Sequence, residues 1–176
     1  MAIECLDLKP GMRILDVCCA PGMKTAAIAS RLNNEAEIIS IDKDAKRLGE
    51  MENILEKVGV TSYEMHDNDF IDIDPEEVGA VDVIMLGPSC SGTGMIRRLE
   101  YHHDEHMDKK RLYKLASFQT KMLTHSMKFA TKRIVYSTCL MFVLKDEFVI
   151  KSAFKELTEK FNYKIAKQCK CQLIDN

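Results

Sequence analysis

Apolar residues fall along this chain in two alternating rhythms: short dense runs, and longer stretches with apolar side chains three and four apart. The dense runs are Arg13–Val17, Ile38–Ile41, Tyr63–His66, Val81–Leu86 and Arg133–Ser137, all of strand length, with Val81–Leu86 apolar enough to be buried on both faces. The helical rhythm fills the intervals. One helix is expected from about Lys24 to Leu32, after a Pro-Gly turn. A second, capped by Asp44 and stopped at Gly59, has Leu48, Met51, Leu55 and Val58 at helical spacing. A third should span about Lys110 to Phe129 with Leu112, Leu115, Phe118, Met122 and Met127 inward, and a last one should run from about Asp146 to Phe161. Tyr163–Ala166 is a candidate sixth strand.

Strands separated by helices require crossover connections, and crossovers produce parallel strands. The pattern therefore predicts an α/β fold with a mostly parallel, doubly wound, Rossmann-like sheet. Such sheets take ligands beyond the carboxyl ends of their strands, which directs attention to the segments after Val17, Ile41, His66, Leu86 and Ser137. No repeat, low-complexity tract or linker divides residues 1–176, so one domain is expected.

Composition narrows the class. With 46% hydrophobic and 30% charged residues, the chain is excluded from collagens, coiled coils and disordered proteins. No apolar run approaches the ~20 residues that cross a bilayer, and Met1–Pro10 lacks the basic start and apolar core of a secretion signal. An intracellular protein is expected, with its seven cysteines as thiols. The net charge of -2 hides an asymmetry: 18 acidic against 8 basic side chains up to Leu86, then 9 against 17. A basic half can hold a polyanion, and scattered solvated lysines would give the same count.

The segment after the first strand, Asp16-Val-Cys-Cys-Ala-Pro-Gly-Met-Lys-Thr25, carries neither the dinucleotide glycine fingerprint nor a phosphate loop. Asp42 ends the second strand, where a carboxylate can accept hydrogen bonds from both hydroxyls of a ribose or, equally, cap a helix. Arg47 and Asp69 are further candidates around a nucleoside. Cys90 and Cys139 follow the fourth and fifth strands, one behind Pro-Ser and one behind Ser-Thr, at the edge where a reactive thiol would be useful.

Three loops in this order, Asp-x-Cys-x-Ala-Pro-Gly-x-Lys-Thr, Pro-Ser-Cys-Ser-Gly-Thr-Gly and Tyr-Ser-Thr-Cys, resemble those of the Nop2/Sun family of S-adenosylmethionine-dependent RNA cytosine-C5 methyltransferases. The Pro-Ser-Cys loop and Asp44-Ala-Lys-Arg-Leu48 are most similar to the branch of the fifth human member, which acts on large-subunit ribosomal RNA. The resemblance runs from about Leu8 to Lys160. It implies a class I methyltransferase fold with RNA as partner, no metal and a nucleolar place of action. It also implies that Cys18, Cys19, Ala20, Pro21, Gly22, Met23 and Lys24 wrap the methionine part of the cofactor. Asp42 would hold the ribose, Arg47 would support it, Asp69 would face the adenine amino group and Gly87 would line the same pocket. Cys139 is the implied nucleophile and Cys90 the thiol that assists release. A thiol suits the task because cytosine C5 is too electron-poor to attack a sulfonium methyl until something adds at C6.

The chain departs from that family at Gly87, where relatives carry an Asp that bonds the cytosine ring edge. The position is expected to offer no donor or acceptor, and removing one such group from developing charge costs about 3 kcal/mol. Relative to the family the chain is also expected to be short at both ends and to lack the antiparallel seventh strand, which leaves the fifth strand with a free edge. The alternative to an enzyme is a relative that binds RNA or ribosome-assembly factors. Three weaker features remain. His102-His-Asp-Glu-His106 formally fits an inverted zinc-protease motif but reads as a solvated loop, and Cys169-Lys-Cys171 reads as a tail. Arg97, Arg98, Lys109, Lys110, Arg111 and Lys114 form a basic cluster suited to phosphates or simply to water.

Overall fold

A computed structural model of the chain describes residues 2–89, 109–138, 143–157 and Lys164. Its strands are β1 (Arg13–Val17), β2 (Glu37–Asp42), β3 (Tyr63–Asp67), β4 (Val81–Leu86) and β5 (Thr131–Tyr136). The helices are α1 (Met23–Arg31), α2 (Ala45–Lys57), the single turn α3 (Pro75–Val78), α4 (Lys109–Ser126) and α5 (Val143–Leu157). All four strand pairings are parallel, in the order β3-β2-β1-β4-β5. Mostly parallel, Rossmann-like architecture is thus what the alternating rhythms produce.

The strands are buried because both faces are covered. Ile14, Ile38, Val83 and Met85 point to one side, where they pack with Ile28 of α1 and Leu48, Met51 and Leu55 of α2. Leu15, Val17, Ile39, Ile41, Ile84 and Leu86 point to the other, against Ala116, Met122 and Leu123 of α4 and Val149 and Ala153 of α5. This period-two division of continuous apolar runs is the signature of a parallel sheet between two helical layers. Leu6, in a 3-10 turn at Ala2–Leu6 that the sequence pattern did not reveal, is fully buried on the first side.

Strand order reverses between β1 and β4. The first leads into a helix on one face and the second towards a helix on the other, so a crevice opens at their carboxyl ends. Some local expectations are corrected. Val58, at helical spacing with the buried Leu48, Met51 and Leu55, is itself 61% exposed, because α2 ends at Lys57 and Val58 is its cap. The long helix stops at Ser126, leaving Met127 and Phe129 buried beyond its end. The last helix starts at Val143, ahead of the expected Asp146. Among the described residues β5 pairs only with β4. The candidate strand at Tyr163–Ala166 lies outside the described residues apart from Lys164.

Candidate active site

The connection from β1 to α1 bends sharply. Cys18 (φ 57°) and Gly22 (φ 93°) both lie in the left-handed region, the Ala20–Pro21 bond is cis, and the Gly22 N–H donates to the Cys19 carbonyl at 2.8 Å. Position 22 demands glycine twice over: its φ is costly for other residues, and a Cβ there would lie 2.6 Å from Cγ of Met51. Gly22 also supplies the N-cap of α1, which has no side-chain cap, so the positive end of that helix opens onto the carboxyl edge of the sheet.

Asp42 locks this loop from the neighbouring strand. Only 5% exposed, it accepts hydrogen bonds from the Ala20 N–H at 3.2 Å and the Asp44 N–H at 3.1 Å, and the Arg47 guanidinium stands 3.7 Å from its Oδ2. Arg47 also donates to the Ala20 carbonyl. Asp44 caps α2 by accepting from the Arg47 N–H at 3.1 Å, which fixes the helix turn that carries the guanidinium. The structure thus joins Ala20, Asp42 and Arg47 in one network. Asp69 follows β3, where its Oδ1 accepts from the Ile71 N–H at 3.3 Å and its Oδ2 faces the Lys43 ammonium at 3.4 Å.

Beneath the loop lies Asp16, fully buried, with Oδ2 accepting from the Thr25 hydroxyl at 2.6 Å and Oδ1 without a partner. Burial pushes its carboxyl up to about 6, against the opposing pull of Thr25 and Lys24. Ser40, its register partner on β2, likewise keeps a buried hydroxyl oxygen without a partner. Burial, with Asp42 and Asp16 nearby, pushes the Cys18 thiol up to about 12, and burial raises Cys19 as well. These two sulfurs stay protonated, so they can line a pocket but not act as nucleophiles.

On the other side of the crevice β4 and β5 end together. Leu86 pairs in register with Tyr136, the Ser137 N–H donates to the Leu86 carbonyl at 2.9 Å, and the Gly87 N–H donates to the Val17 carbonyl at 3.0 Å. Gln119 of α4, 1% exposed, ties the two outgoing segments together. Its Nε2 donates to the Ser89 carbonyl at 2.9 Å and its Oε1 accepts from the Tyr136 hydroxyl at 3.1 Å. Sequence reasoning passed over Gln119; its one signal was an amide on the inward face of an otherwise apolar helix. Cys90, next after Ser89, and Cys139, three beyond Tyr136, lie outside the described residues.

At Gly87 the expectation of an empty position is corrected. The space a side chain would take is filled by the end of Lys24: a Cβ at position 87 would lie 2.7 Å from Lys24 Cε and closer still to its ammonium. The glycine makes room, and a long flexible side chain from the first turn of α1 reaches into it. Lys24 therefore sets a hydrogen-bond donor and positive charge at the junction of β1 and β4. Lys110, Arg111 and Lys114 are exposed on α4, whereas Arg97, Arg98, the 102–106 motif, Cys169 and Cys171 lie outside the described residues. Among the described residues no group of His, Cys, Asp and Glu is placed to hold a metal ion, and no helix is long and apolar enough to cross a membrane.

Comparison with known proteins adds a family. Residues 3–173 match the model of the 16S rRNA methyltransferase RsmB/F family. A mouse 28S rRNA (cytosine-C(5))-methyltransferase is 39% identical over 160 residues, covering 89% of this chain and 34% of the relative. An Arabidopsis thaliana 25S rRNA (cytosine-C(5))-methyltransferase, NSUN5, is 33% identical over 177 residues, covering 94% and 31%. The chain thus spans about a third of the length of these relatives. Among solved structures, NSun6 from Pyrococcus horikoshii with SFG superimposes with a TM-score of 0.77 at 29% identity, covering 88% of this chain and 40% of that one.

Proposed function

Since the chain belongs to the RsmB/F methyltransferase family, we propose that residues 1–176 form one methyltransferase domain. It would act with S-adenosylmethionine on C5 of a cytosine in large-subunit ribosomal RNA, in the nucleolus. The observation that carries this reading is the meeting, at one sheet edge, of the loop locked by Asp42 and the paired ends of β4 and β5 bridged by Gln119. The residues fit the cofactor. Cys18 to Lys24 bound a turn kept narrow by Gly22, Asp42 presents a buried carboxylate at the strand end where a ribose would be held, Arg47 fixes that carboxylate, and Asp69 offers an acceptor for an adenine amino group. At Gly87 the absence of a side chain admits the end of Lys24. When bound, S-adenosylmethionine supplies a methyl group activated by its sulfonium.

The chain's own residues then do the rest. Cys139, as thiolate, adds to C6 of the cytosine; the 5,6 double bond opens and its electron pair gathers at C5. A free thiol has pKa ~8.5, so the site must favour the thiolate, and the Lys24 ammonium beside Gly87 is a charge of the right sign. The same ammonium can donate to the ring edge as negative charge builds there, standing in part for the Asp that relatives carry at position 87. After methylation a base takes the C5 proton, the freed electron pair re-forms the 5,6 double bond and the C6–S bond breaks to return Cys139 as thiolate, a release that Cys90 assists.

In a methylation assay on large-subunit ribosomal RNA, Cys139→Ser should give no product, while Cys90→Ala should accumulate a covalent protein–RNA adduct. Equal product from both variants contradicts the mechanism. The second reading, a relative that holds RNA or assembly factors without turnover, draws on the missing carboxylate at Gly87. Methyl transfer by this chain disposes of it.

A further inference from the structure

Lys43 follows Asp42 directly, and although its side chain is 62% exposed, its ammonium is drawn to two groups at the carboxyl edge of the sheet. It stands 3.4 Å from Asp69 Oδ2 and 5.7 Å from the ring centroid of Phe118, a half-buried residue of α4 packed against the sheet core. The other Asp69 oxygen is already taken by the Ile71 N–H. One ammonium thus faces both an aromatic ring and a carboxylate oxygen, and these are the two features that a purine base would need: a flat apolar platform and an acceptor for an exocyclic amino group.

We propose that Phe118 is the stacking platform for the cofactor's purine and that Lys43 is a latch on that seat, which must swing out before the base can enter. The inference rests on the nucleoside-binding reading above. A stacked base needs about 3.5 Å on each side, roughly 7 Å between Phe118 and anything above it. The 5.7 Å now separating the ring from the ammonium is too little, so base and latch compete for one space. The exposed stem of Lys43 can rotate away without disturbing the core, and the cost of opening is that of a solvent-exposed ion pair with a cation–π interaction. Opening therefore weakens binding by a modest factor, about two to five.

Adenosine is a suitable probe because it is neutral, so any salt dependence of its binding comes from the protein. Titrated calorimetrically into the 176-residue chain, it should bind about two- to fivefold more tightly at about 0.5 M salt than at about 0.05 M, because screening loosens the Lys43–Asp69 pair. Lys43→Met, which keeps the apolar stem, should bind adenosine more tightly at low salt and show no such dependence. Phe118→Leu, chosen to spare the core, should weaken adenosine several-fold while leaving the thermal midpoint close to that of the parent. Adenosine affinity that is the same in all three proteins at both salt concentrations overturns the latch and the platform while the nucleoside pocket stands. Absence of adenosine and S-adenosylmethionine binding in every protein overturns the pocket and the latch with it.

Discussion

The two sides of the crevice are built differently. On the β1–β2 side, the loop is held by interlocking bonds: Asp42 to Ala20 and Asp44, Arg47 to Asp42 and Ala20, Asp44 to the helix that carries Arg47. Removing one leaves others to keep the backbone in place. On the β4–β5 side, among the described residues, one buried side chain, Gln119, bridges the two outgoing segments, and at Gly87, where the family resemblance implies a carboxylate, the space is taken by the Lys24 ammonium. Under the proposed function, the contrast teaches that holding the cofactor and turning it over would be separable: the first would rest on the interlocked β1–β2 loop, the second on the segments that Gln119 bridges.

The sharpest way to test that contrast is at Gly87. Gly87→Asp introduces the carboxylate that the family resemblance implies, and the incoming side chain meets the end of a flexible lysine, which can shift and pair with it. Turnover should rise by about a hundredfold, the counterpart of ~3 kcal/mol, with cofactor affinity within about twofold of the parent, as read by initial rates alongside calorimetry. An unchanged rate would show that Lys24 already supplies the needed hydrogen bond.

The second test concerns the foundation of the interlocked side. Asp16 is buried with its carboxyl raised to about 6, so the folded chain binds its proton more tightly than the unfolded chain does. The stability this contributes is present below about pH 4 and is lost as pH rises through about 6. The loss is about 3 kcal/mol as an upper figure. Asp16→Asn removes the charge change, so urea midpoints of parent and variant between about pH 4 and 7 should diverge, with the variant's curve the flatter one. Parallel curves would mean that Asp16 is not the buried acid the geometry makes it.

A smaller effect is expected at Gln119. Gln119→Met keeps the volume but leaves the Ser89 carbonyl and the Tyr136 hydroxyl without that partner, at a cost of about 1–3 kcal/mol in stability. If the amide aligns the two cysteine-bearing segments, the rate should fall about tenfold with cofactor affinity unchanged. A loss of stability with no change in rate would reduce Gln119 to a packing residue.

Much of the scaffold was legible because the sheet writes itself into sequence. Dense apolar runs alternate with helical spacing, and only parallel strands buried on both faces satisfy that pattern. The β1–β2 side of the crevice was legible for a related reason: Asp42, Arg47 and the Pro21-Gly22 turn, which the structure joins in one network, are local to strand ends. Gln119 and Phe118 were not, since each acts on residues tens of positions away and looks like an ordinary member of a helix face. The Lys24 ammonium at Gly87 was missed for the opposite reason. A glycine was read as an absence, whereas in three dimensions the space it leaves is taken by a side chain from the first turn of α1. Val58 shows the limit of periodicity, which cannot tell the last inward residue of a helix from its cap.

The claim on which the account rests is that the crevice between β1 and β4 holds the adenosyl cofactor through Asp42. Titration of S-adenosylmethionine into the parent chain and into Asp42→Ala, each checked for native circular dichroism, tests it directly. The account predicts one equivalent bound by the parent and affinity at least about tenfold weaker in the variant. Equal affinity in the two proteins, or no binding by the parent, would contradict it.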